Sequence, residues 1–103
     1  MDRSTVIYLI TETRTQDAIG QFVSQEQKRQ VYARKQSITR NEWFDAGRNG
    51  LQPEICFVVF RYDYEGELII EDEDGNRYGI YRTYENRSEE IELYCESKGG
   101  LVQ

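Results

Sequence analysis

The chain has 103 residues, no histidine, two cysteines and a net charge of −6. That length suits one domain with a modest core, to which assembly would add stability. The missing histidine removes the commonest general base and transition-metal ligand, and no run approaches the apolar length that spans a bilayer.

Thr5 to Thr13 (TVIYLITET) is rich in β-branched residues and predicts a strand. The polar start, Met1 to Thr5, lacks a basic segment leading into a sustained apolar run, so no signal peptide and a cytosolic site of synthesis are expected. Thr15 to Gly20 predicts a loop, and Gln27 to Ile38 a long second strand that suits an edge or has one wet face. Thr39-Arg40-Asn41-Glu42 has the form of a capping box, in which the threonine hydroxyl accepts from a backbone N–H three residues on and the glutamate reaches back. A short helix over Arg40 to Ala46 follows, with Trp43, Phe44 and Ala46 on its apolar side and Gly47 in the left-handed conformation at its end. Arg48-Asn49-Gly50 then predicts a tight turn.

The most apolar run, Glu54 to Tyr62, is apolar on both alternations and predicts a strand buried on both faces, or on one face against its neighbours in an assembly. Asp63 to Gly66 predicts a turn, Glu67 to Glu71 a short strand, and Asp74-Gly75 a hairpin. Arg77 to Tyr84 predicts an aromatic-rich strand and Asn86 to Ser88 a turn. In the last strand, Glu90 to Glu96, Ile91, Leu93 and Cys95 face inward while Glu92 and Tyr94 face outward; Gly99-Gly100 marks a loose tail. The sum is mainly β: a small six-stranded antiparallel barrel, closed to hide its edges, with a short helix between strands 2 and 3 in a single domain over 1–103.

No catalytic constellation emerges. Cys56 and Cys95 have no histidine beside them and read as buried thiols, with a disulfide open only if their strands are neighbours. The serines lie in no nucleophile elbow, and no glycine loop suits phosphate. Glu71-Asp72-Glu73-Asp74-Gly75 lacks the alternate-oxygen spacing and terminal glutamate of a calcium loop. No enzyme activity, cofactor or metal is therefore expected. Charge is unevenly spread: eight Lys/Arg against six Asp/Glu in residues 1–50, then five against thirteen in 51–103. Such asymmetry fits head-to-tail contact between copies. Lys28, Arg29, Arg34 and Lys35, with Arg40 and Arg48, are able to pair with carboxylates of a neighbouring copy or to touch phosphates, and Tyr81 and Tyr84 suit a protein interface or stacking with single-stranded bases.

The segment Ser37-Ile38-Thr39-Arg40-Asn41-Glu42-Trp43-Phe44-Asp45-Ala46-Gly47-Arg48-Asn49-Gly50-Leu51-Gln52-Pro53-Glu54 resembles the S-(I/V)-x-R-x-E-(W/F)-F-x-A-G-x-x-G-L-x-P-E segment of bacteriophage head-closure, or head–tail adaptor, proteins. Arg77 to Tyr84 resembles their RY-x-IYRTY strand, and Ile91 to Glu96 their IELY-x-E ending. Thr13-Arg14-Thr15-Gln16-Asp17 and Gly20 fit their usual opening, so the resemblance spans nearly the whole chain; the acidic run at Glu71 is heavier than in the family pattern. The resemblance implies a subunit of a homo-oligomeric ring in the virion neck, assembled in the bacterial host cytoplasm. Its implied partners are the portal and adaptor, the tail or its terminator, and packaged double-stranded DNA, with no membrane. It also implies that the excursion from Thr39 to Gln52 projects toward the channel and gates it, through Thr39, Arg40, Asn41, Glu42, Trp43, Phe44, Gly47, Arg48, Asn49 and Gly50. A tail-terminator-type neck protein and a small barrel that binds nucleic acid are the alternatives.

Overall fold

The computed structural model describes residues 5–97; the polar N-terminal start up to residue 4 and the Gly99-Gly100 tail lie outside the described residues. The elements are β1 (Thr5–Gln16), β2 (Phe22–Gln36), α1 (Arg40–Arg48), β3 (Pro53–Phe60), a turn of 3-10 helix (Arg61–Asp63), β4 (Ile69–Glu71), β5 (Arg77–Glu85) and β6 (Glu90–Ser97). The protein is mainly β, and its six strands hydrogen-bond in a closed antiparallel ring, β1-β2-β3-β6-β5-β4. Closure leaves no row of unpaired backbone groups around the ring.

Inside the ring pack Ile7, Leu9, Val31, Ala33, Phe57, Val59, Ile70, Ile91, Leu93 and Cys95, with the Tyr78 ring edge-on to Phe57 at 5.5 Å. β3 is buried on its other face too: Cys56 and Val58 join Tyr94 in a second cluster outside the ring, flanked by Ile38 and Tyr81. Tyr94 therefore faces outward, as its alternation requires, but is covered by its neighbours and only 8 % exposed. Cys56 and Cys95 lie on adjacent strands but in the two separate clusters, and both are free thiols.

Several stretches depart from the sequence expectations, among them Arg61 and Tyr62, which the sequence assigns to the end of the third strand but which open the 3-10 turn, closed by Tyr64 N–H on Arg61 O. β1 and β2 run on to Gln16 and back from Phe22, so the expected loop shrinks to a tip and residues 21–26 become mostly strand. Polarity hid this stretch: a ribbon that packs on nothing needs no apolar face. α1 continues through Gly47 and Arg48 rather than stopping at Ala46. β4 is only Ile69–Glu71, because Glu67 turns in to an arginine of β2 instead of extending the strand.

The longer hairpin has consequences. β4 covers β1 only at Tyr8 to Ile10, and β3 covers β2 only at Ala33 to Gln36. Residues 11–16 and 22–27 consequently pair only with each other, and all are exposed. They form a two-stranded arm about 20 Å long that leaves the ring, and the molecule measures 50 × 30 × 24 Å.

Candidate functional site: the helical excursion and the hairpin arm

The excursion between β2 and β3 is fixed at both ends by local chemistry. The Thr39 hydroxyl accepts from the Glu42 N–H at 3.1 Å, the N-cap bond expected of this sequence. Its reciprocal half is not made. The Glu42 carboxylate turns instead to β5, where Oε2 accepts from the Tyr81 hydroxyl at 2.7 Å and both oxygens accept from the Arg82 guanidinium. At the other end Leu51 N–H donates to Ala46 O and Gly50 N–H to Gly47 O, at 3.0 and 3.1 Å. This is a Schellman closure, and it assigns the left-handed position to Gly50, with φ of +81°, rather than to Gly47.

Electrostatics sharpen the attachment. Burial works against charge on Glu42, but the bonds from Arg82 and Tyr81 outweigh it and hold the carboxyl below its ordinary pKa. Burial, then the bond to Glu42, pushes the Tyr81 hydroxyl up, so it remains a proton donor. The Arg82 guanidinium also lies 4.0 Å over the Tyr94 ring. Of the helix, only Ala46 is buried; Trp43 and Phe44 are 53 % and 52 % exposed and pack edge-on against each other at 5.4 Å. Neither aromatic ring joins the interior cluster. Arg40, Asn41, Arg48, Asn49 and Gly50 are exposed, with Arg48 making a loose ion pair to Asp45 at 3.5 Å.

The six residues expected at an interface separate into two kinds. Lys28 bonds Glu71 at 3.1 Å, Arg29 bonds Glu67 at 2.7 Å, Arg34 bonds Glu90 at 3.2 Å, and Tyr81 holds Glu42. Lys35 and Tyr84 remain exposed at the surface. The partners of the first four stand 38 to 56 residues away, so nothing in the local sequence announces them.

Several residues that matter carry no local motif. Arg77 grips both carboxylate oxygens of Glu26 at 2.8 and 2.9 Å while its Nε donates to Glu71 at 3.0 Å. That fork ties the base of the arm to β5. At the arm's far end Asp17 Oδ1 accepts from the N–H groups of Ile19 and Gln21, and Ile19 and Phe22 stand 79 % and 71 % exposed. Ile19 within an Asp-to-Gly turn, and Phe22 just after it, were the available signal. The acidic run serves a turn: Asp72 accepts from the N–H groups of Asp74 and Asn76, both at 2.9 Å. Among the described residues no group of three or more side chains is arranged to hold a metal, and no helix is long and apolar enough to cross a membrane.

No family model and no curated protein matches the chain.

Proposed function

We propose that the chain is a structural, non-catalytic subunit of a bacteriophage or prophage head–tail connector, of the head-closure type. In this reading the strand ring is a small barrel. Copies of it surround the channel beneath the portal and adaptor, retain the DNA after packaging, and offer the tail a docking surface. The observation that carries the reading is the placement of residues 39–52. They leave the ring between β2 and β3 and are fastened to its outside by the Glu42 carboxylate on Tyr81 and Arg82, by the buried Ala46 side chain and by the Gln52 N–H on Glu96, while Trp43 and Phe44 stay exposed.

A gate of this kind needs joints. Gly50, with positive φ, and the irregular register between Pro53 and Ile55 supply one downstream of α1. Gly47 lies within the helix and does not serve. A nine-residue helix is too short to hold itself, so its order follows from what it touches. The competing nucleic-acid role loses support from Lys28, Arg29 and Arg34, whose charges are already met within the chain.

The test is genetic and biochemical. Particles made without this protein are expected to fill with DNA, leak it and refuse tails, and purified protein is expected to restore both properties. Heads that stay sealed and accept tails without it would end the proposal.

A further inference from the structure

We propose that the tip of the β1–β2 arm seats in the groove formed by Ile38, Arg40, Trp43 and Phe44 of a second copy of this chain, joining copies head to tail. The tip is built before any partner arrives. Asp17 Oδ1 takes the Ile19 and Gln21 N–H groups at 3.0 and 2.9 Å, Gln16 Nε2 donates to Gly20 O at 3.0 Å, and Gly20 has φ of +89°. This turn displays Ile19 and Phe22, with Val23 39 % exposed beside them. The arm itself is braced by the Arg77 fork on Glu26. A prebuilt apolar tip loses little freedom on docking, so most of its burial is available as affinity.

Charge selects the receptor. Among the described residues, three hollows of different charge can be compared. The one beside β4 is lined by Glu12, Glu65 and Glu67, and the one at the end of α1 by Glu42 and Asp45 together with Arg82, which already holds Glu42. The third, about 490 Å³, is lined by Ile38, Arg40, Trp43 and Phe44, and so carries a cation and no acid. Asp17 at the tip uses Oδ1 in the turn and leaves Oδ2 without a hydrogen bond or ion pair among the described residues. An anionic apolar tip is repelled by the first hollow, finds the charges of the second already paired with arginines, and is attracted by the third. Both surfaces are open within one copy, as the exposure of Ile19, Phe22, Trp43 and Phe44 shows, so the occupant comes from another. Two different patches make a heterologous contact, which closes into a ring when the rotation allows. The inference rests on the ring reading for its purpose and adds that each copy's arm braces its neighbour's excursion.

The test uses full-length chains carrying one added surface thiol, since Cys56 and Cys95 are both buried. Ile19→Cys mixed with Phe44→Cys is expected to be joined by a short bis-maleimide about tenfold faster than Ile19→Cys mixed with Glu73→Cys. Adding Phe22→Ser to the Ile19→Cys chain is expected to erase that preference, with the far-ultraviolet circular dichroism spectrum unchanged. As a second reading, sedimentation equilibrium of the unsubstituted chain at rising concentration is expected to show association that Phe22→Ser weakens about tenfold. Equal cross-linking rates for the two pairs, or association indifferent to Phe22→Ser, would overturn the contact. Preferential cross-linking together with heads that stay sealed without the protein would keep the contact and remove the connector reading; equal rates with leaking heads would do the reverse.

Discussion

Glu42 shows how much one side chain decides. It caps nothing at its own helix start; its charge goes to Arg82 and its second oxygen to Tyr81, across 39 and 40 residues of sequence. Its side chain is 14 % exposed and that of Arg82 42 %, so solvent screens the pair and its worth is about 1 kcal/mol. Glu42→Gln is therefore expected to speed amide hydrogen exchange across residues 40–48 while leaving exchange in β3 and β6 unchanged. Exchange that rises everywhere, or nowhere, would mean that the carboxylate does not tether the helix. Thr39 was legible as a cap because its bond spans three residues. The destination of Glu42 was not, because no local pattern encodes a partner on β5.

At the scale of elements, α1 poses a sharp contrast between two glycines. Gly47 is helical and Gly50 lies at φ +81°, and an added Cβ meets nothing within 4 Å at either. Gly47→Ala is expected to stabilise the protein by about 1 kcal/mol, through helix propensity. Gly50→Ala is expected to destabilise it by roughly 1 kcal/mol, because an L side chain is strained in the left-handed region. Urea titration of the two variants reads both signs, and destabilisation by both would contradict the Schellman assignment. The sequence pattern places the left-handed cap at Gly47, and hydrogen-bond geometry moves it to Gly50. The hairpin arm is the opposite case. Its turn was visible in Thr15 to Gly20, though two residues too wide, and its flanks lacked the apolar alternation by which strands are recognised.

Across the whole molecule, carboxylates set the acid limit. The Arg77 hydrogen bond lowers the pKa of Glu26 from an ordinary 4.5. Burial opposes the charge of Glu67 and Asp72, yet hydrogen bonds, chiefly from Arg29 to the first and from Asn76 to the second, lower both; Glu42 behaves alike. A carboxylate with a depressed folded-state pKa contributes its full stability above the unfolded value and loses it as pH falls through the folded one. Thermal stability is thus expected to be flat with respect to these groups above about pH 5 and to fall steadily below it. Circular dichroism melts from pH 7 to pH 2 check this; stability that rises as the pH drops below 4 would show that these pairs do not hold the fold.

The sequence by itself determined the mainly-β class, the order of the six strands and the inward alternation of Ile91, Leu93 and Cys95, because β-branched periodicity and turn chemistry act over a few residues. It determined also that β3 would be covered on two sides. Only the tertiary structure decided what covers them, how far the β1–β2 arm extends beyond the ring, and which charges are already spent. Those depend on strand register and on pairs such as Arg77 with Glu26, 51 residues apart, and a chain acquires such neighbours only when the ring closes.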